Sequence, residues 1–314
     1  MPLLAEYAIT PDVFDTTSYA SEEICRLHLD RLREVMLAEG LVRDLRDGEW
    51  RQLFATNDRE WHRRGKELIR KLATQGRLIH FRPASDERPI DDSGWCAEAL
   101  ATHNLYPLTG GVIVTNRVKA VFEDEELVAS VDRLPTAAWW TRRSPSVRLP
   151  RTLDAYKEHL ELVLHCANSI SFIDPYLNPR RGGYQGFGRL LAMAGGRRPA
   201  PRIEVHRVCW EEACDKRFRP EFRERIERNF REALEPIARE SGLKIEVFLW
   251  DDFHDRYVIS NLIGISVPYG FDTTTNPSAI TTWTRLSRDD RDDVQREFDE
   301  SSGRHVLKDR FQIP

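Results

Sequence analysis

Trp250-Asp251-Asp252-Phe253-His254-Asp255-Arg256-Tyr257-Val258-Ile259-Ser260-Asn261 is the stretch on which the reading of this 314-residue chain turns. The apolar, β-branched residues from Tyr257 onward predict a strand over 254–260, paired in a hairpin-like way with 263–267. Side chains two apart on a strand share a face, so this pattern points His254 and Arg256 the same way. An imidazole beside a guanidinium suits phosphate chemistry. The ring can attack phosphorus or move protons, and the cation neutralises the non-bridging oxygens. Working outward, strands are expected at 243–249, 202–208 and 169–173. Helices are expected at 219–241, 186–194, 151–166 and 289–300. This alternation predicts an α/β domain with a mixed sheet flanked by helices.

The strand at 169–173 runs into Asp174-Pro175-Tyr176-Leu177, where Asp174 fits a turn and a site equally well. The two phrases together resemble the phospholipase D superfamily, whose motif is H-x-K-x4-D followed by a Gly/Ser-containing segment. His254 falls on the His, Arg256 on the Lys and Asn261 on the Asp, while Ser266 and Gly270 fall in the later segment. The His254-Asp255-Arg256 form, followed by Gly270-Phe271-Asp272, is similar to the C-terminal domain of MIT-domain proteins and its bacterial relatives. The resemblance implies a metal-independent phosphodiesterase, in its fullest form a nuclease, with no cofactor at this site. His254 would be the nucleophile, Arg256 the phosphate clamp and Asn261 the orienting group, with Asp174, Tyr176, Asp255, Ser266 and Asp272 in support. A leaving oxygen needs a proton donor; with no second motif in the chain, the resemblance implies a homodimer that supplies a second histidine. It also implies nucleic acid as partner, with a phospholipid headgroup as the other choice, and a setting among the partner proteins of a prokaryotic antiviral defence system. Arg for Lys and Asn for Asp depart from the motif. They keep open a non-catalytic phosphate-binding module or a scaffold subunit.

The first half also alternates. Strands are expected at 3–9, 77–82 and 111–115, with helices at 21–41, 58–74 and 91–102, which predicts a second α/β domain with a mostly parallel sheet. Acidic residues after the first strand (Asp12, Asp15) and at a helix start (Asp91, Asp92), with Asn116 after a later strand, give a faint resemblance to PIN-like domains. That resemblance implies Mg²⁺ or Mn²⁺ held by such carboxylates. Turn formation and the helix dipole favour acids at the same positions. The proline-, tryptophan- and arginine-rich segment 134–150 reads as a linker between domains 1–133 and 151–314, with Trp139 and Trp140 docking it on a domain face.

Composition bounds the rest. Hydrophobic residues at 40% and charged residues at 31% describe a folded globular chain. A net charge of −4 argues against a protein that coats nucleic acid without specificity. The Arg-rich run 217–231 reads mainly as a solvated amphipathic helix, and a phosphate-backbone groove is its other reading. Five cysteines without a C-x-x-C pair, no apolar run long enough for a bilayer and no signal-peptide pattern at the start lead to the expectation of a cytoplasmic protein.

Overall fold

The computed structural model describes residues 2–210 and 220–314; Cys214 and the first residues of the Arg-rich run lie outside the described residues. The chain forms two α/β units, 3–144 and 145–314.

In the first unit the elements run β1 (Ala5–Ile9), α1 (Glu22–Glu39), β2 (Gly40–Asp44), α2 (Glu49–Gln52), α3 (Arg63–Thr74), β3 (Leu78–His80), α4 (Asp92–Leu105), β4 (Val112–Val114), α5 (Asn116–Lys119), β5 (Val128–Ser130) and α6 (Ala138–Thr141). Every strand pair is parallel, in the order β3-β2-β1-β4-β5. Central β1 and β2 are buried at every position, as a sheet covered on both faces requires. Ser21 caps α1 as expected, but the buried stripe is Cys25, Leu29, Leu32 and Met36, while Ile24 and Leu27 face solvent. The helix ends a residue before Gly40, which opens β2, a strand the helical pattern had absorbed. A Cβ on Gly40 would lie 2.8 Å from the Met36 Cα, so the direct helix-to-strand turn needs glycine there.

The expected linker is not one. Residues 134–144 belong to the first unit: Trp139 and Trp140 each lie 6.0 Å from the Tyr7 ring, and Arg143 stacks on Trp140 and pairs with Glu39. Residues 146–150 are instead a strand of the second unit, so the break falls between Ser144 and Pro145. Aromatic burial and backbone pairing outweigh the local proline content that marked the segment as a connection.

The second unit runs β6 (Ser146–Pro150), α7 (Leu153–Cys166), β7 (Ser169–Ile173), α8 (Phe187–Ala192), β8 (Arg202–Val208), α9 (Pro220–Ser241), β9 (Lys244–Trp250), β10 (Tyr257–Ser260), β11 (Gly264–Ser266), β12 (Ile280–Arg285), α10 (Arg288–Glu297) and β13 (Leu307–Ile313). Among the described residues its sheet has the order β13-β9-β8-β7-β10-β11-β12-β6, with β7, β8 and β9 mutually parallel and the other pairs antiparallel. Phe172 on β7 packs edge-on against Phe187 at 5.2 Å and Phe271 at 5.1 Å, which ties the loop after β11 to the core. Helix α9 buries Ile226, Phe230, Leu234 and Ala238 and pairs Arg223 and Arg231 with Glu227, and Arg239 with Glu235. Its described part is thus the solvated amphipathic helix anticipated for the Arg-rich run. Among the described residues no helix is long and apolar enough to cross a membrane.

Candidate functional site

The parallel strands β7, β8 and β9 end along one edge of the sheet, and β10 starts there because it runs the opposite way beside β7. The edge is built first around Asp174. Its N–H donates to the His206 carbonyl at 3.0 Å, which extends the β7–β8 ladder by one residue. Its carboxylate is fully buried. Oδ1 accepts from the Tyr176 N–H at 3.0 Å and the Tyr184 hydroxyl at 3.4 Å, and Oδ2 accepts from the Phe271 N–H at 3.1 Å. Burial pushes the carboxyl above its ordinary value, opposed by those hydrogen bonds and by the charge of Arg256. Asp174 is thus both the turn former and the hub of the edge.

Arg256 is the hub's cation. Its Nε lies 3.7 Å from Asp174 Oδ1, its Nη1 donates to the carbonyls of His254 (3.3 Å) and Pro268 (3.4 Å), and its guanidinium lies 5.5 Å from the Tyr176 ring centre. The chain closes over this pair at Gly270, whose φ of +59° and whose lack of a Cβ are both needed. A methyl there would collide with the Asp174 carboxylate and come 3.1 Å from Arg256 Cδ. The Arg256 side chain keeps 25% of its surface exposed, which leaves it open to a ligand.

His254 stands beside it, outside regular structure. Strand β10 begins at Tyr257, so the expected strand over 254–260 is shorter by three residues. The His254 side chain is 67% exposed, and its Nε2 lies 3.9 Å from Asp252 Oδ2. Asp255 is also exposed, and its charge adds to the burial that raises the Tyr257 hydroxyl. The histidine's neighbour Phe253 fastens the segment: it is buried, 4.9 Å from the Phe298 ring, while Asp251 and Val306 exchange backbone and side-chain hydrogen bonds of 3.0 Å.

The remaining expected residues divide. Ser266 lies opposite Tyr257 in the β10–β11 pair, close to the edge. Asp272 accepts from Arg151 Nη2 at 2.6 Å and packs against Gly183, so it braces the neighbouring loop and does not engage Arg256. Asn261 is a correction. It sits at the far end of β10, five residues or about 16 Å of extended chain from Arg256, where its Oδ1 accepts from the N–H groups of Asn168 (2.7 Å) and Ser169 (3.3 Å). It pins the start of β7, at the opposite end of β10 from His254.

Several residues at the edge lie outside the two motif phrases. Tyr184 reaches Asp174 from a short 3-10 turn, Gly182–Tyr184, and Arg151 stacks 4.3 Å from the Tyr269 ring centre. His206, on β8, is buried, accepts from Trp250 Nε1 at 3.0 Å and lies 3.7 Å from Glu204; burial lowers its pKa. Among the described residues no second histidine is hydrogen-bonded to or stacked on His254 or Arg256.

The carboxylates of the first unit do not assemble as the metal expectation requires. Asp12 is buried after β1, with one oxygen accepting from the Thr115 backbone and hydroxyl and the other without a hydrogen-bond partner; burial raises its pKa. Asp92 is held by Arg59 at 2.5 Å and Arg117 at 3.0 Å. Asp15 caps residues 16–18, Asp91 caps α4, and Asn116 donates to Asp132. Among the described residues no group of three His, Cys, Asp or Glu could hold a metal ion. The two arginines on Asp92 balance its charge within the protein.

No protein-family model matches the chain, and no curated protein matches it. Among solved structures it is similar to polyphosphate kinase from Porphyromonas gingivalis, with 17% identity and a TM-score of 0.31, over 49% of this chain and 25% of that one. It is also similar to TrmBL2, an archaeal chromatin protein described as showing a novel mode of DNA binding, with 14% identity and a TM-score of 0.30, over 89% and 93% of the two chains. The chain thus spans a quarter of the polyphosphate kinase, and neither score is high enough to carry a function from those proteins to this one.

Proposed function

We propose that the second unit is a phospholipase D-like domain that grips a phosphodiester at the carboxyl edge of its sheet through Arg256 and His254. The observation that carries this reading is the placement of Arg256. A buried carboxylate, two carbonyls and a tyrosine ring fix the guanidinium, yet a quarter of the side chain stays open to solvent. An arginine held this way meets phosphate with little further loss of side-chain entropy. The exposed imidazole of His254, two residues away, adds a donor or a nucleophile.

Hydrolysis is the second reading, favoured by that exposure. In it His254 attacks phosphorus and the bond from phosphorus to the leaving oxygen breaks. Water then releases the phosphoryl group from the ring. A nuclease whose second histidine comes from another copy of the chain is its full form.

The test measures binding of a labelled single-stranded oligonucleotide and turnover of bis-p-nitrophenyl phosphate in EDTA. Arg256→Ala should weaken binding by about 10- to 100-fold, the loss of one charge-assisted hydrogen bond, and Arg256→Lys should retain part of it. If Arg256→Ala, checked to be folded, binds as wild type does, the site is wrongly placed. Turnover lost in His254→Ala supports hydrolysis; phosphate binding with no turnover in wild type leaves the domain a binding module.

A further inference from the structure

The rim of this edge carries an aromatic ring in an unusual position. Val267, Pro268, Tyr269 and Gly270 form a tight turn closed by the Gly270 N–H donating to the Val267 carbonyl at 2.6 Å, with proline at the position where its fixed φ suits such a turn. The turn is held on both sides. Arg256 donates to the Pro268 carbonyl at its start, and the Phe271 N–H after its end is bonded to Asp174. Tyr269 therefore projects from rigid backbone, one residue from the carbonyl that Arg256 holds. Tyr269 is nevertheless 52% exposed. Arg151 lies over the ring at 4.3 Å from its centre, and Asp272 in turn fixes Arg151 at 2.6 Å. One face of the ring is thus backed by a cation, and the ring's orientation is set before any ligand arrives.

We infer that Tyr269 is a stacking platform for the base next to the phosphate at Arg256, so that the ligand is single-stranded nucleic acid. The inference rests on the phosphate reading above and names its substrate class. Every base has a flat face that an exposed tyrosine can cover, and a guanidinium behind the ring adds to the attraction. A duplex keeps those faces stacked on each other and offers the ring none. A polyphosphate has no ring to stack. A membrane headgroup would need company for the tyrosine, but among the described residues of this unit the only other large exposed hydrophobic is Val306.

The test compares full-length wild type, Tyr269→Ala and Tyr269→Phe by fluorescence anisotropy at one fixed salt concentration. The probes are a short labelled oligothymidylate and an abasic oligonucleotide of the same length. Tyr269→Ala should weaken the oligothymidylate by about 5- to 150-fold, the range for one base on one aromatic ring. Tyr269→Phe should keep the affinity, and neither variant should change binding of the abasic strand. Equal weakening on both strands, no weakening on either, or failure of wild type to prefer the strand with bases overturns the inference. So does Tyr269-dependent binding to vesicles of anionic phospholipid. Arg256→Ala separates the two ideas: it must weaken both strands, and if it weakens neither, the phosphate site fails whatever Tyr269 does.

Discussion

Gly270→Ala is the sharpest structural test of the edge. The residue sits at φ +59°, which costs an L-amino acid about 1–2 kcal/mol. The new methyl would also enter the space of the Asp174 carboxylate, forcing it off the Phe271 N–H. A hydrogen bond to a charged group is worth about 1.5–3 kcal/mol, so the total loss is roughly 3–5 kcal/mol. For a unit of this size each kcal/mol moves the midpoint by about 2–4 °C, which places the expected fall of the second unit's transition at about 6–20 °C. Gly182→Ala is the control, because a Cβ there meets nothing within 4 Å and its φ is not positive; its stability should stay within about 0.5 kcal/mol of wild type. The assay is a thermal scan of the full chain by circular dichroism, paired with oligonucleotide binding well below the variant's midpoint. Folded Gly270→Ala should also bind more weakly, since the displaced carboxylate no longer directs Arg256. An unchanged midpoint would refute the packing argument, and an unchanged affinity in the folded variant would refute the role given to Asp174.

Two further outcomes follow from the same geometry. Asn261→Ala removes an acceptor for two backbone N–H groups and should cost about 1–3 kcal/mol in urea unfolding, while phosphate binding at Arg256 stays as in wild type; a selective loss of binding would return Asn261 to the site. Asp174 has a folded-state pKa raised by burial above the unfolded value of 3.8. Its contribution to stability is therefore fully present below pH 3.8 and is lost as the pH rises through the folded value. Asp174→Asn does not titrate, so urea midpoints taken across the mildly acid range should lack that part of the decline, and a curve parallel to wild type would contradict the assignment.

The two α/β units were legible in the order of residues because most of their inner strands carry their own signal, β2 after its helix being the exception. SISFI at 169–173, RIEVHRV at 202–208 and the segment before Trp250 are short β-branched stretches whose apolar residues alternate with polar ones or run together, bounded by turns, and such stretches suit the inner strands of a sheet. The outer strands were not legible. β6 and β13 are edge strands with half their residues in water, and β12 is threonine-rich around the buried Trp283, so each becomes a strand only because a neighbour offers it a ladder.

The same division runs through the site. His254 and Arg256 are close in sequence, and their side-chain chemistry marked them without any fold. Asn261 was carried along by its spacing, but spacing along a strand is distance, and it leaves that residue at the opposite end. The resemblance marked Asp174 and Gly270 but not Tyr184 or Arg151, and the four lie in separate segments that no local pattern links. They meet because β10 runs against β7 and brings the start of one strand to the end of the other. Short-range chemistry was therefore written in the order of the residues. That the Asp174 carboxylate is buried and aims Arg256, and that Gly270 lets the chain close over both, came only from tertiary packing, because burial and steric closure depend on everything that surrounds a position.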